Sequence, residues 1–342
     1  MSSWPSLPAV TVERRPPASL VQGDEGLFAH EYQKSFGPVT VQMGSWDSTD
    51  QGMLLRPHSP WVESAWFQSG LPRGLAGLKV RAKGLLALAQ PRRPVGGGLT
   101  PLVVTDEFSN GYFHWLADGL PKLWWLRDKL DRVNLILPAF ARRFAYMTES
   151  LAPWPQLTTT VVDPAVRSGL TGAVLVPSLA PTGNYRPELM AGLAAEWRGF
   201  TSPAAPFRRV YISRAKAPWR KIRNEDEVWA VLEAQGFERV FLEDLPFAAQ
   251  VKLVAETQTL VSNHGAGLTN LMFQVPGTQV VEIRLRGDAA NNCYYSLASA
   301  VGVDYHYLLA DPAVGGTDSH TADLKVDAAA LTTLVRNLTL PV

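Results

Sequence analysis

The sequence predicts an α/β protein whose second half is a Rossmann-like domain on a parallel sheet. Three observations carry the prediction. From Arg209 onward short β-rich runs alternate with helical patterns of ten or so residues, the pattern of a parallel sheet covered on both faces. The run Val261-Ser262-Asn263-His264-Gly265-Ala266-Gly267-Leu268-Thr269-Asn270 ends an apolar strand in a glycine turn with a helix expected straight after it. The next apolar run, Gln279 to Ile283, carries one carboxylate, Glu282, placed where nucleotide-binding α/β units grip a ribose.

Length sets the domain count. At 342 residues the chain exceeds what one core usually organises, so two domains are expected. Thr201-Ser202-Pro203-Ala204-Ala205-Pro206 is small, proline-containing and uncharged, the composition of a linker. The expected division is therefore residues 1–200, a linker at 201–206, a nucleotide-binding domain at 207–325, and a terminal helix at 326–342 that packs back on the first domain.

The first hundred residues are rich in Pro and Gly, with short apolar runs at Val39 to Met43 and Gly77 to Val80, and read as strands and loops. Leu102 to Thr105 is β-rich. From Asn110 the recurrence of Phe113, Leu116, Ala117, Leu120, Leu123, Trp124 and Arg127 at three and four residues argues a helix. Pro121 inside it implies a kink or two successive short helices. Strands follow at Val133 to Leu137, Thr159 to Val162 and Ala173 to Val176, with helices at Arg142 to Leu151 and Pro187 to Phe200. Beyond the linker come a strand at Arg209 to Ser213, a helix from Asn224 with Glu227 as its capping-box partner, and a strand at Val240 to Leu242. A helix at Pro246 to Glu256 leads to the strand Thr259 to Ser262, the glycine turn, a third helix to Phe273 and the strand of Glu282. Asp327 caps the last helix, Ala328 to Leu338.

Charge and cysteine content exclude several functions. The 32 basic and 31 acidic residues leave a net charge of +1, so no global field draws nucleic acid or anionic membrane to the surface. Any phosphate must be met locally. The single cysteine, Cys293, excludes an internal disulfide and a cysteine-based structural zinc site. No apolar stretch reaches the roughly 20 residues of a membrane span, and Met1 to Thr11 lacks the pattern of a secretory signal. A cytoplasmic protein, at most peripheral to a membrane, is expected.

The loop Ser213-Arg214-Ala215-Lys216-Ala217-Pro218-Trp219-Arg220-Lys221-Ile222-Arg223-Asn224-Glu225 begins at the carboxyl end of a parallel strand and holds five cations. Ligands bind at that edge. Arg214 and Arg220 can fork onto a diphosphate and stabilise its charge as it leaves; the plainer reading is a solvated basic loop. Gly265 and Gly267 let the backbone approach a phosphate, and the amides of the following turn supply donors. The third glycine of a dinucleotide fingerprint is replaced by Asn270. His264 either donates to the phosphate or holds the loop.

In the first half His114 and Asp118 are four residues apart, hence on one face of a helix. Such a pair either makes a general base or is an ordinary helix-surface contact. Gly-x-Ser-x-Gly, the phosphate loop ending in Gly-Lys-Ser/Thr, and His-Glu-x-x-His are all missing from the sequence. So is Asp-x-Asp, so basic side chains would have to neutralise a diphosphate.

Taken in order, these residues resemble glycosyltransferase family 61. The motifs are Asn110-x-x-x-His114-x-x-x-Asp118-x-Leu120-Pro121; Ser213-Arg214 with Arg220-x-Ile222-x-Asn224-Glu225; Leu245-x-x-x-x-Gln250-Val251; His264 to Asn270; and Pro276-Gly277 leading to Val281-Glu282. The resemblance implies a GT-B fold, two Rossmann-like domains with parallel sheets facing across a cleft. It further implies an inverting, metal-independent transfer from a nucleotide sugar, usually a UDP-sugar, to a glycan or lipid-linked glycan acceptor of the kind met in bacterial capsule synthesis. No cofactor is then required. Arg214, Arg220 and the turn His264, Gly265, Ala266, Gly267, Leu268 and Thr269 would hold the diphosphate. Glu282 would hold the ribose, Asn224 and Glu225 would order the basic loop, and Asp118 assisted by His114 would be the base. Two rivals are a nicotinamide-dependent oxidoreductase, which should show the third glycine, and a non-catalytic glycan-binding protein, which leaves the basic loop without a role.

Overall fold

A computed structural model describes residues 4–28, 37–43, 47–49, 53–55, 93–94, 97–106, 108–162, 168–170, 173–313 and 318–338. The strand expected at Gly77 to Val80 lies outside these residues. The chain forms two compact units, Met1–Met43 with Leu179–Val342, and Gly44–Ser178. Both are built on largely parallel sheets with helices between the strands.

In the smaller unit the sheet order is Asp47–Thr49, Ala173–Leu175, Thr100–Val103, Val133–Leu137, Thr158–Val161. All pairings are parallel except that of the first strand. Val133–Leu137 is buried throughout, as a central parallel strand must be when both faces are covered. The expected helix beyond Asn110 is present as Tyr112–His114, a wide π turn over Trp115–Gly119, and an α-helix over Leu120–Trp125. Pro121 explains the wide turn. Its ring and missing N–H deprive the preceding turn of a bond, and a π turn absorbs the loss without a break.

The larger unit carries a six-stranded sheet in the order Glu238–Val240, Arg208–Ile212, Thr257–Asn263, Gln279–Leu285, Asp304–Pro312, Leu324–Lys325. The first five strands run parallel and the last antiparallel. The earliest of them, Arg208–Ile212, sits between the second and the third. The order in which strands are added therefore reverses beside it, and at such a point the loops leaving Arg208–Ile212 and Thr257–Asn263 part to form a crevice at the carboxyl ends of the strands.

One face of this sheet packs Tyr211, Val261, Val281, Ile283 and Leu285 against Val228 and Leu232 of the Glu225–Glu233 helix and Leu331 and Val335 of the Ala328–Asn337 helix. Burying each such side chain contributes about 1.5–3 kcal/mol. On the other side of the unit, Trp197 of the Pro187–Thr201 helix meets Phe247 and Phe273 edge to face, with ring centroids 4.9 and 6.5 Å apart.

Three expectations change here. Residues 201–206 lie inside the larger unit, and the divisions fall after Met43 and after Ser178, because the helix before 201–206 is committed to the Phe247–Phe273 side. The last helix, capped by Asp327 through the amides of Ala329 and Ala330, belongs to the larger unit and packs on its Glu225–Glu233 helix. The segment Ala266–Phe273 is a 3₁₀ helix rather than an α-helix. Its short, tight turns leave it a weaker dipole than the sequence implied. Cys293 is buried, and burial pushes its thiol up.

Candidate functional site

The crevice end of the larger unit brings together Arg214 and Arg220 from the basic loop and His264, Gly265 and Thr269 from the glycine turn. The loop is anchored at both ends. Glu225 accepts from the hydroxyl of Tyr211 at 2.9 Å and from Ser213. Asn224 does not cap its helix. Its amide binds Val326 instead, donating to the carbonyl at 2.8 Å and accepting from the N–H at 3.0 Å. Glu225 thus ties the start of the loop to its strand, and Asn224 ties its end to Val326.

The loop's cations divide into two kinds. Lys216 is held by both oxygens of Asp244 at 2.6 Å, and Arg223 by Asp323 at 2.5 Å. Among the described residues, Arg214 and Arg220 have no acidic partner in an ion pair, and the Nε of each is buried without a hydrogen bond. Burial first, and the like charge of Arg220 second, lower the pKa of Arg214, with Tyr294 and Glu243 opposing. Two adjacent guanidinium groups without an ion-pair partner call for an anion, and planar forks suit a diphosphate.

Arg220 also has a left-handed backbone, φ 58°, which costs a side-chain-bearing residue about 1–2 kcal/mol. Asn263, fully buried at the end of its strand, holds it there by donating to the Arg220 carbonyl at 2.5 Å. Strain kept at such a place belongs with function.

Gly265 makes room for Arg214. Its backbone is extended, φ 167°, a conformation open to any residue. A Cβ added at Gly265, however, would stand 2.2 Å from Nη1 and 2.5 Å from Cζ of Arg214. A Cβ at Gly267 would lie 3.3 Å from Leu242 and 3.5 Å from Ile212, so this glycine brings the turn tightly onto the sheet. Leu268 and Thr269 are buried, and Asn270 donates to the Gly267 carbonyl at 3.0 Å, closing the turn that Ala266 begins.

Glu282 is not at a strand end and does not meet the crevice. It stands inside the Gln279–Leu285 strand opposite Ser262, fully buried. One carboxylate oxygen is bound to Nδ1 of His264 and the other accepts from the hydroxyl of Tyr305 at 2.5 Å. The ribose role expected of Glu282 is therefore not supported, since both oxygens are engaged within the fold. Tyr294 lies 4.9 Å from the His264 ring. Asn263, Tyr294 and Tyr305 escaped sequence reasoning. Asn263 alone gave a signal, as the amide that closes an apolar strand just before the glycine turn.

In the smaller unit His114 and Asp118 do meet, Nδ1 to Oδ2 at 2.9 Å, with side chains 26 % and 15 % exposed. Asp118 sits in the π turn, a feature often found at functional positions. Phe108 and Phe113 flank the imidazole at 5.2 and 4.9 Å. Lys122 lies buried one turn on, donating to the Val104 carbonyl at 2.9 Å. Burial lowers the pKa of its amine, against the pull of Asp106 and Asp118.

Among the described residues no cluster of three His, Cys, Asp or Glu gathers to hold a metal ion, and no helix is long and apolar enough to cross a membrane.

Comparison with known proteins adds a family match over part of the chain. Residues 112–281 match the family described as Glycosyltransferase 61, a stretch that includes both the His114–Asp118 pair and the Arg214–Gly265 crevice. An EGF domain-specific O-linked N-acetylglucosamine transferase of Drosophila melanogaster is 38 % identical over 109 residues, covering 31 % of this chain and 20 % of that protein. Its namesake from Bos taurus is 33 % identical over 102 residues, 28 % and 19 % of the two chains. A leucyl/phenylalanyl-tRNA--protein transferase of Teredinibacter turnerae is 35 % identical over 71 residues, 21 % and 26 %. The chain thus spans about a fifth of the length of the first two relatives.

Proposed function

We propose that this chain, with its glycosyltransferase-61 region, moves a sugar from a nucleotide donor to a hydroxyl acceptor. The observation that carries the reading is the pair Arg214 and Arg220, both without acidic partners, at the reversal point of a parallel sheet beside a glycine turn. Two guanidinium groups satisfy a diphosphate and stabilise the charge that grows on it as the glycosidic bond breaks. No metal ion is needed in this scheme. UDP is the diphosphate carrier, and the names of the relatives make N-acetylglucosamine the first sugar to try.

The reading includes a GT-B pairing of the two units, with the smaller one on the acceptor side. The acceptor oxygen attacks the anomeric carbon, the bond from that carbon to the diphosphate breaks, and the His114–Asp118 pair takes the hydroxyl proton. A single in-line displacement inverts the anomeric configuration. The acceptor is a glycan or lipid-linked glycan, the setting is a bacterial cytoplasm, and capsule synthesis is the process.

The test is thermal stability with UDP, UDP-sugars, NAD and CMP, with and without EDTA, since a ligand of the folded state raises its stability. A chelator-resistant rise with UDP or a UDP-sugar supports the proposal. A rise with NAD alone replaces it with an oxidoreductase.

A further inference from the structure

The proposed reaction leaves one buried pair without a role. Glu282 stands at the middle of a central strand, on the sheet face opposite the Val281 and Ile283 side chains, where an apolar residue would cost less. Its carboxylate is fully enclosed between His264 and Tyr305. Arg284, next on the same face, donates to the Tyr305 hydroxyl at 3.5 Å and to the Asp288 carbonyl at 2.8 Å, with its guanidinium 5.1 Å over the Phe28 ring. On the side of the glycine turn this network reaches outward through His264, whose side chain is 11 % exposed.

We propose that Glu282 is a positioning residue that fixes how His264 meets the diphosphate. An ionised carboxylate only accepts, so Nδ1 of His264 must carry a proton toward it. The hydrogen bond made by one ring nitrogen decides the state of the other. With Nδ1 committed, Nε2 is the nitrogen presented to a ligand at the turn. An imidazolium there donates from both nitrogens, one to Glu282 and one to a phosphate oxygen. Glu282 and Asp288 are the carboxylates whose charge reaches the ring, and Arg214, Arg220 and Tyr294 surround the anion site. Tyr305 orients the carboxylate, and Arg284 offsets the charge it carries in the core.

This inference rests on the proposed diphosphate site, and the experiment separates the two. Inorganic pyrophosphate, UDP and uridine are titrated calorimetrically into the wild-type protein, Glu282→Gln, Glu282→Ala, His264→Ala, and the double variant His264→Ala/Glu282→Ala. Imidazole nitrogen NMR of the same proteins reports the protonated nitrogen. The expected result is that Glu282→Ala weakens pyrophosphate and UDP alike, by about tenfold, and loses that effect in the His264→Ala background. Glu282→Gln keeps most of the affinity, because its amide oxygen still accepts from Nδ1. Loss of UDP but not pyrophosphate binding would mean a ribose contact and overturn the inference, as would an undiminished effect without His264. If the wild type binds neither anion, the diphosphate site fails. The NMR still decides the positioning claim: Nδ1 protonated in the wild type and released in Glu282→Ala supports it, and any other pattern sinks it. Should Glu282→Ala fail to fold, Tyr305→Phe removes only the hydroxyl that orients Glu282. It should cost pyrophosphate binding about two- to threefold, and no loss there counts against the proposal.

Discussion

Two histidine–carboxylate pairs occur among the described residues, and they differ in every respect but their chemistry. His114 and Asp118 are four residues apart on one helical stretch and partly exposed; His264 from the glycine turn and Glu282 from the neighbouring strand close off the carboxylate entirely. The open pair can exchange a proton with a substrate. The closed pair can only hold an imidazole in place, because nothing but the protein reaches its acid. An acid's role thus follows from what else can touch it, more than from the histidine beside it.

The largest way to sharpen this contrast is Asp118→Asn. Transfer should fall by about a thousandfold while UDP affinity stays within about twofold, read by initial rates and calorimetry. Equal loss of donor binding would show that the open pair belongs to the donor site. Next comes stability. Glu282→Ala should lower unfolding free energy by about 3–5 kcal/mol, since Arg284 and His264 lose a buried counter-charge, whereas Asp118→Asn should cost under about 1 kcal/mol by the same denaturant titration.

Gly265→Ala has a smaller, local effect. The new methyl displaces the Arg214 guanidinium, so UDP binding should drop by about tenfold with the melting temperature nearly unchanged. A large melting shift would mean that the close approach is structural. The smallest effect concerns His306, whose ring nitrogens are both buried without a partner and whose pKa is lowered by burial, against Asp304. Its unfolded form takes up a proton first as pH falls through about 6.5. Stability should therefore decline below that pH, and His306→Phe should flatten the curve between about pH 5 and 7. An unchanged slope would assign the decline to another group.

Much of both units was legible because their turns and strands obey local rules. Val133–Leu137 in the smaller unit and Gln279–Leu285 in the larger are runs of β-forming residues bounded by turn residues, and Asp327 caps the last helix as its spacing predicts. The open pair was legible too, since helical spacing alone brings positions four apart together. What stayed hidden depended on distant partners. Glu282 looked like a ribose acid because its strand was recognisable; that Tyr305 and His264 occupy both oxygens is decided by strands on either side. Asn263 and Arg220 meet across 43 positions of sequence. The 3₁₀ character of Ala266–Phe273 reflects packing of Leu268, Leu271 and Phe273 into the core, and apolar periodicity over eight residues does not separate it from an α-helix.

The π turn at Trp115–Gly119 amounts to a helix with one residue to spare. Each residue advances an α-helix by about 100°, so a surplus residue rotates everything after it by that amount relative to what came before. Here the rotation is taken up inside the turn, and Trp115 at its start and Leu120 and Leu123 beyond it are all fully enclosed. Asp118 lies within the turn itself, its side chain 15 % exposed. Removing a single residue between His114 and Leu120 would restore a regular helix and turn one flank of it away from its packing. The segment behaves as a phase shifter, and it holds its partly buried acid by design of length rather than of side chain.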